Sequence, residues 1–396
     1  MSKLEELIQQ LCPDGVECRN LEECCNILDK KRKPVTKAAR EAGEYRYYGA
    51  NGIQDYVSDY IFDGTFVLVG EDGSVITKAG TPVVTWAEGK IWVNNHAHII
   101  EEKTGVLLRY LFHYIQTIDV TSLIHGNIPK LTGGDFKTLK ISIPPLEIQR
   151  EIVRILDHFT ELTAELTAEL TARKKQYAYY REHLLTFGDD ITFVEIGDVI
   201  KSLNTGLNPR RFFKLNTDDA TNYYITIREI RNNTIVPSEK TDRINDEALQ
   251  LCNNRSNLEI GDVLFSGTGT IGETAVIEKE PRNWNIKEGV YTIKPNQDKL
   301  CPRFLMYLLQ TQKIRTAIMK KVAGGTVKSI PMGELKKISI PLPALDEQRR
   351  IVSILDRFDA LCNDLTSGLP AEIAARQKQY EYYRDELLTF NKEELF

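Results

Sequence analysis

The sequence predicts an α+β protein in which two globular α/β segments alternate with two long helices. Three observations support this prediction. A stretch of about 40 residues occurs twice, both copies space their apolar residues as a helix does, and each copy follows short β-like stretches broken by glycine. A long repeat that closes both halves of a chain indicates duplication. We therefore expect a pseudo-two-fold internal repeat whose long helices pack on each other.

The repeated stretch is defined by its two ends. It begins with QREIVRILDHF at 149–159 and QRRIVSILDRF at 348–358, and it ends with RKKQYAYYREHLLTF at 173–187 and RQKQYEYYRDELLTF at 376–390. The end segments are identical at 11 of 15 positions. The offset between copies grows from 199 to 203 residues, so the second copy contains four extra residues, about one helical turn.

Apolar residues in the first copy recur at steps of three and four, which is the spacing of a heptad seam. One extra four-residue step falls where the letters TAEL are repeated, at 163–166 and 167–170. A single stripe of this kind is ordinarily an amphipathic core helix, but two matched stripes favour a coiled coil. The expected coiled-coil residues are Ile152, Ile155, Phe159, Leu162, Leu166, Leu170, Ile351, Leu355, Phe358, Leu361 and Leu365.

The repeat divides the chain into four segments: 1–145 and 188–343 are expected to be globular, and 146–187 and 344–391 helical. A kink is expected at 367–370 in the last segment, because Pro370 removes a helical hydrogen bond.

Matching features end the two globular segments. Each contains a helix, at 109–117 and 303–311, and then a glycine-rich turn, at 133–134 and 324–325. The letters ISIP at 141–144 and 338–341 predict a last strand that proline ends before the long helix begins.

Composition describes a folded chain with no general attraction for nucleic acid. Of 396 residues, 42% are hydrophobic and 27% are charged, which excludes a disordered protein. No apolar run is long enough to span a membrane and the first residues are too polar for a signal peptide, so we expect a cytoplasmic protein. Seven cysteines without CxxC pairs indicate reduced thiols and no zinc site.

The net charge of −5 means that any DNA-binding surface must be local. Only residues 188–343 are net positive, with 22 basic and 19 acidic side chains.

The order of these motifs resembles the specificity (S) subunit of Type I restriction–modification enzymes. The resemblance covers essentially the whole chain and lies in QRxIVxILD and QYxYYRxxLLTF in each helix, and in GDVL at 261–264 followed by the glycine-rich 267–272. It implies two target-recognition domains, each of which reads one half of a bipartite, asymmetric DNA site. It also implies that the two helices form an antiparallel coiled-coil spacer.

The resemblance further implies partners. Two modification (methyltransferase) subunits would dock on the helices, and restriction (ATP-dependent nuclease and translocase) subunits would join them. S-adenosylmethionine, ATP and magnesium would bind to those partner subunits. This chain is therefore expected to have no catalytic residue and no cofactor. The TAEL repeat would act as a ruler. Four residues add about 6 Å and rotate the helix about 40° past a full turn, and one base pair adds ~3.4 Å and rotates ~35°.

Clusters of basic residues next to aromatic residues or turns are the candidate DNA contacts, because Lys and Arg fix register on phosphates and Arg reads guanine edges. A charge run is ordinarily a solvated face, so the choice among clusters stays open. The candidates are Lys31, Arg32, Lys33, Arg46, Tyr47, Tyr48, Asn51, Arg210, Arg211, Arg228, Arg231, Lys320, Lys321 and Lys328. Tyr177, Tyr180, Tyr380 and Tyr383 fit either the helical seam or a partner surface.

Three patterns that imitate catalytic or metal sites are given structural interpretations. The letters GTGTIG at 267–272 match a phosphate-binding turn, but a strand-like stretch follows them, so a hairpin turn is expected. Asp72 with Glu101–Lys103 imitates a nuclease motif by chance, and His96 and His98 are expected to pack or cap and to bind no metal.

Two alternatives stay open. A stand-alone nuclease or methyltransferase would act with magnesium or S-adenosylmethionine alone, although the sequence contains no NPPY-like motif and no Walker loop. A coiled-coil scaffold without a DNA role would show no sequence-selective binding even with partners present.

Overall fold

The computed structural model describes residues 3–188 and 190–390, so the predicted segment limits at residues 1 and 391 lie outside the described residues. Its helices are α1 (Lys3–Leu11), α2 (Leu21–Cys24), α3 (Leu108–Ile115), α4 (Gly133–Lys137), α5 (Leu146–Leu184), α6 (Pro209–Phe212), α7 (Asp246–Ser256), α8 (Pro302–Gln310), α9 (Gln312–Lys320), α10 (Met332–Lys336), α11 (Leu345–Asn363) and α12 (Leu369–Leu388). None of the helices in this part of the chain combines the length and the apolar character that a membrane span requires.

The strands alternate with these helices along both halves of the chain. They are β1 (Glu17–Asn20), β2 (Asn26–Ile27), β3 (Ala42–Gly49), β4 (Gly52–Val57), β5 (Phe62–Gly70), β6 (Val84–Val93), β7 (Ala97–Glu101), β8 (Ile124–His125), β9 (Lys130–Leu131), β10 (Lys140–Ile143), β11 (Phe193–Glu195), β12 (Ile200–Thr205), β13 (Asn222–Ile225), β14 (Ile230–Arg231), β15 (Thr234–Ile235), β16 (Arg243–Ile244), β17 (Val263–Ser266), β18 (Thr274–Val276), β19 (Trp284–Ile286), β20 (Val290–Pro295) and β21 (Ser339–Pro341).

The described chain divides into two compact units. Unit 1 comprises residues 3–165 and 373–390, and unit 2 comprises 166–372 without residue 189. Each unit therefore contains one globular segment, part of α5 and part of the C-terminal helical region. Helix α5 is continuous over 39 residues, as the uninterrupted apolar spacing predicted.

The main sheet of unit 1 has the strand order β2-β7-β5-β6-β3-β4. Neighbouring strands are antiparallel except β3 and β6, which are parallel. Both faces of β5 are covered, because Phe66 and Leu68 pack in one apolar cluster while Val67 and Val69 pack in another. This double burial explains why the strand reads as a continuous apolar run without polar alternation. The second cluster includes Ile152 and other residues of α5.

Unit 2 is built around the antiparallel sheet β12-β20-β17-β18, with the smaller sheet β16-β13-β19 beside it. Its strand β17 is also buried on both faces. Val263 and Phe265 pack in the cluster that contains α8 and the helical residues Tyr177 and Leu355, and Leu264 packs in a separate cluster.

The long helices pair within unit 2. The ring of Tyr180 stacks on Phe358 with 5.3 Å between centroids, and the Tyr177 hydroxyl donates to Asp359 at 3.4 Å. Burial raises the pKa of the Cys362 thiol, and nearby Lys174 opposes that shift. Rising numbers on α5 therefore meet falling numbers on α11, so the pairing is antiparallel here. In unit 1, the ring of Phe159 stacks on Tyr383 at 5.2 Å.

The predicted apolar stripe does not extend through Leu361 and Leu365, which are 37% and 67% exposed. Helix α11 ends at Asn363, so Leu365 lies outside it, and Cys362 takes the buried position. The remaining predicted seam residues are buried or half-buried.

The chain between α11 and α12 spans residues 364–368. Asp364 accepts hydrogen bonds there from Thr366 and Ser367. A Cβ atom on Gly368 would lie 2.5 Å from the carbonyl oxygen of Ala360, so the close approach requires glycine.

The proposed match between the glycine pairs 133–134 and 324–325 is wrong. Gly133 and Gly134 open helix α4, whose N-cap is Thr132. Gly324 and Gly325 lie instead in a hairpin loop that the pairing of Ala323 with Ser329 closes. The two pairs share a composition but not a backbone position.

Candidate nucleic-acid interface

The glutamine that opens the repeated helix motif fastens each globular segment to its helix. Gln149 is fully buried on α5, where its Oε1 accepts from the Leu107 backbone N–H at 2.9 Å. Its Nε2 donates to the carbonyl oxygens of Pro144 at 2.8 Å and Gly105 at 3.2 Å. The side chain thus joins the turn before α3 to the first turn of α5.

Gln348 repeats this arrangement in unit 2. Its buried Oε1 accepts from the Cys301 N–H at 2.8 Å, and its Nε2 donates to the carbonyl oxygens of Lys299 and Pro343, both at 2.9 Å. The repeated glutamine is therefore a structural joint in both units.

The aspartate of the repeated ILD motif anchors a second joint. In unit 1, Asp157 accepts from Arg109 Nε at 2.7 Å and from His113 Nε2 at 2.9 Å. An ionised carboxylate only accepts, so His113 Nε2 bears the hydrogen and Nδ1 accepts from the Tyr380 hydroxyl, 2.9 Å away.

Unit 2 contains the matching joint with one exchange. Asp356 accepts from Arg303 Nε at 2.8 Å and from the Tyr307 hydroxyl at 2.6 Å, so Tyr307 occupies the position that His113 has in unit 1. The tyrosines left open by the sequence favour the seam. Tyr177 and Tyr380 are buried, while Tyr180 and Tyr383 stack on phenylalanines of the paired helix.

His113 makes the stability of unit 1 sensitive to pH. Burial lowers the pKa of His113, the charges of Arg109 and Arg384 act in the same direction, and the hydrogen bond to Asp157 opposes them. The unfolded chain therefore takes up a proton before the folded chain does as the pH falls.

We expect the free energy of unfolding of unit 1 to decrease as pH falls through about 6.5, the ordinary histidine value. This one group contributes at most about 1.4 kcal/mol per pH unit. Replacing His113→Tyr, which copies unit 2, should remove that part of the slope. Urea unfolding of both proteins at about pH 7.5 and about pH 5.5 measures it, and equal losses in the two proteins would contradict the role of His113.

The basic run of unit 1 contains exposed side chains and one side chain that forms hydrogen bonds within the unit. Lys31 and Lys33 are exposed, whereas Arg32 donates to Glu71 at 2.6 Å and to the carbonyl oxygen of Ala97 at 2.6 Å. Arg32 thus stabilises the fold of unit 1, and its predicted DNA contact stays a prediction that its geometry does not favour.

The aromatic residues predicted beside this run are largely interior. Tyr47 and Tyr48 are buried on β3, and the guanidinium of Arg40 lies over the Tyr47 ring at 4.1 Å. Their neighbours Arg46 and Asn51 are exposed and remain available to a ligand.

A cluster of Asp29, Glu71 and His98 has the composition of a metal site. The Arg32 guanidinium already supplies positive charge there, 2.6 Å from Glu71 and 3.4 Å from Asp29. The His98 ring stacks on Phe136, its Nε2–H donates to the Leu131 carbonyl oxygen at 3.0 Å, and its Nδ1 lies 2.7 Å from Asp29 Oδ2, so the side chain packs within unit 1.

One predicted residue of unit 2, Arg228, lines a cleft of about 340 Å³, and other predicted residues are its neighbours in the chain. Arg228 lines it and donates to Asp242 at 2.9 Å, and Pro209, which precedes Arg210 and Arg211, lines it as well. The exposed Arg231 lies on the adjoining strand β14, where its Nε donates to the carbonyl oxygen of Arg228. This brings part of the basic set to one face.

The remaining basic cluster of unit 2, formed by Lys320, Lys321 and Lys328, also contains both exposed and paired side chains. Lys320 and Lys328 are exposed. Lys321 donates to Glu334 at 2.7 Å and is therefore paired within the unit.

Sequence reasoning missed a loop pair that occurs in both units. In unit 1 the turn after β5 lies against the hairpin β8–β9: Gly73 N–H donates to the Pro129 carbonyl oxygen at 2.9 Å, and Leu131 N–H donates to the Glu71 carbonyl oxygen at 2.9 Å. We call these two backbone hydrogen bonds the brace. Glycine is required at Gly73, whose φ is +82°.

Unit 2 contains the same brace. Gly269 N–H donates to the Lys328 carbonyl oxygen at 2.9 Å, and Ile330 N–H donates to the Gly267 carbonyl oxygen at 3.0 Å. Gly269 has φ +80°, nearly that of Gly73. The letters GTGTIG therefore form the predicted turn, between the antiparallel strands β17 and β18.

Comparisons with known proteins agree with this duplicated architecture. The family model described as "Type I restriction modification DNA specificity domain" matches residues 13–173 and again 188–375. A Haemophilus influenzae protein assigned as a type I restriction enzyme specificity subunit is 38% identical over 98% of both chains. The specificity subunit of the Escherichia coli type I restriction enzyme EcoR124I/EcoR124II is 33% identical over 73% of this chain and 72% of its own.

Two solved structures share the fold. The S subunit of a type I restriction–modification system from M. genitalium has a TM-score of 0.58 at 14% identity, covering 95% of this chain and 96% of its own. A chain from a study of complex assembly and conformational transition in a type I restriction–modification system has a TM-score of 0.55 at 18% identity, covering 95% and 98%. The predicted fold class and resemblance are confirmed: the chain belongs to the family of Type I restriction–modification DNA specificity subunits.

Proposed function

We propose that each unit reads one half of a bipartite, asymmetric DNA site and that α5 fixes the gap between the halves. The observation that supports this most directly is the brace, which presents the same pair of loops in two units of otherwise different sequence. A duplicated reader with diverged loop residues suits two half-sites of different sequence.

The partners follow from the same proposal. Two modification subunits dock on the helices and supply adenine methylation with S-adenosylmethionine, and restriction subunits supply ATP- and magnesium-dependent cleavage. The recognition domains are 1–145 and 188–343, and the spacers are 146–187 and 344–391. The complex acts in the cytoplasm, where it meets chromosomal DNA.

The exposed members of the predicted set are the proposed DNA contacts, because solvent-accessible side chains can meet phosphates or base edges. They are Lys31, Lys33, Arg46, Asn51, Arg210, Arg211, Arg228, Arg231, Lys320 and Lys328. Arg228 among them also donates to Asp242. Tyr47, Tyr48, Arg32 and Lys321 are proposed to support these contacts from within the fold.

Methylome sequencing of a host that contains this chain with its modification subunit tests the proposal. We expect methylated adenines in one two-part sequence with a fixed gap. Exchanging residues 188–343 for the matching segment of another specificity subunit should change one half of that sequence and leave the other unchanged.

Two controls separate the alternatives. The purified chain with magnesium or S-adenosylmethionine should neither cleave nor methylate DNA, and activity of that chain alone would favour the stand-alone enzyme. Loss of both half-sites after the exchange would contradict independent readers, and absence of any sequence-selective methylation would favour the scaffold.

A further inference from the structure

An exposed aliphatic side chain lies at the same backbone position in both units. Ile128 is 68% exposed and Val327 is 61% exposed. A single exposed aliphatic residue needs no explanation, because much of any protein surface is apolar. Two at equivalent positions of a duplicated loop indicate a shared use.

The brace establishes the equivalence. Ile128 precedes Pro129 and Val327 precedes Lys328, and these two carbonyl groups accept from the left-handed glycines Gly73 and Gly269. Three residues after each aliphatic residue, a fully buried side chain anchors the segment: Leu131 in unit 1 and Ile330 in unit 2. Main-chain hydrogen bonds and a buried anchor thus fix the backbone beside each exposed tip.

Polar side chains lie near both tips. Ile128 lines a cleft of about 510 Å³ together with Asn51, Gln54, His96 and Lys130. In unit 2, Thr268 pairs with Ser329 beside the tip and also lines the cleft that contains Arg228 and Lys287.

An apolar tip near amide, hydroxyl or cationic side chains matches the edge of a base pair in the major groove. Amide side chains hydrogen-bond to base edges, cations contact phosphates, and an aliphatic group contacts the thymine 5-methyl group. A protein surface would be less suitable, because a lone aliphatic tip with polar neighbours lacks the apolar core of a protein–protein interface.

We propose that Ile128 and Val327 contact bases of double-stranded DNA. Each would touch a thymine methyl group in its own half-site. This inference rests on the proposed function. It adds which residues specify a base and by which contact.

The test compares Ile128→Ala and Val327→Ala in the full complex with modification subunits. Each thymine of the two half-sites is replaced in turn by uracil, which removes only the methyl group. For the wild-type complex, one uracil in each half-site should lower kcat/KM for methylation roughly five- to ten-fold. Ile128→Ala should lower kcat/KM by the same factor on the duplex that contains thymine. Uracil at the site that Ile128 contacts should then cause no further decrease, whereas uracil in the other half-site should lower kcat/KM as it does for the wild type.

Val327→Ala should show the reciprocal pattern, so each variant is the control for the other. Ile260→Ala removes an aliphatic group that is 51% exposed at the opposite end of β17, and it should leave methylation unchanged. Both tips are exposed, so their truncation should leave unfolding curves unaltered.

Two results would overturn the inference. One is kcat/KM within about twofold of wild type for both variants on every duplex. The other is an equal loss on specific and random DNA, which would indicate a wedge or backbone contact without base readout. Failure of the proposed function is distinct, since the wild-type complex would then methylate no bipartite sequence at all.

Discussion

Replacing Gln348→Leu should lower the free energy of unfolding of unit 2 by about 3 kcal/mol or more. Leucine fills a similar volume but leaves the Cys301 N–H and the carbonyl oxygens of Lys299 and Pro343 without the partner they now have. A buried polar group that loses its hydrogen bond costs about 1–3 kcal/mol. Such a loss is a large share of the 5–15 kcal/mol that is typical of a folded domain.

Urea unfolding followed by hydrogen exchange at unit 2 amides measures this loss separately from unit 1. The matched control is Gln250→Leu, because Gln250 is exposed on α7 of the same unit, and its change should stay within about 0.5 kcal/mol. Similar effects of the two substitutions would show that the buried joint adds no stability. Gln149→Leu should repeat the result in unit 1.

Deleting Thr167–Leu170 should shorten the preferred gap between half-sites by about one base pair and leave both half-site sequences unchanged. The deletion removes about 6 Å of α5 and rotates the remainder of the helix by about 40°. Methylation at the original gap should fall at least about tenfold, because a half-site displaced by one base pair is rotated by about 35° about the DNA axis.

Methylation of duplexes with a series of gap lengths measures this shift. Glu169→Gln is the length-preserving control, since it removes only the exposed ion pair with Arg173 at 3.3 Å, and its gap preference should equal that of the wild type. An unaltered preference in the deletion variant would reject the ruler.

The long helices could be predicted from the sequence because helical periodicity is a local property that a repeat makes visible. The role of Gln149 could not, because two of its three partners are backbone groups of a turn more than 40 residues earlier, which only the tertiary fold brings near. Tyr47 and Tyr48 were proposed as DNA contacts from their basic neighbourhood, and β3 places both in the interior. Composition cannot distinguish an aromatic residue that is buried in the core from one that contacts a DNA base.

The brace could not be found by comparing the sequences of the two units, and the reason is physical. Its donors and acceptors are main-chain atoms, so residues 129–131 and 328–330 make the same bonds although their letters, PKL and KSI, do not match. A signal was present nonetheless. The offset of 199 residues between Gln149 and Gln348 also relates Ile128 to Val327.

Because main-chain hydrogen bonds and a buried anchor hold these hairpins, the exposed side chains at their tips can be exchanged at little cost to folding. With the proposed base contacts at the tips, target preference can drift by single substitutions while the scaffold persists. Since each half has its own copy, one can acquire a new target while the other keeps the old one, and a lineage can explore combinations faster than a single reader could.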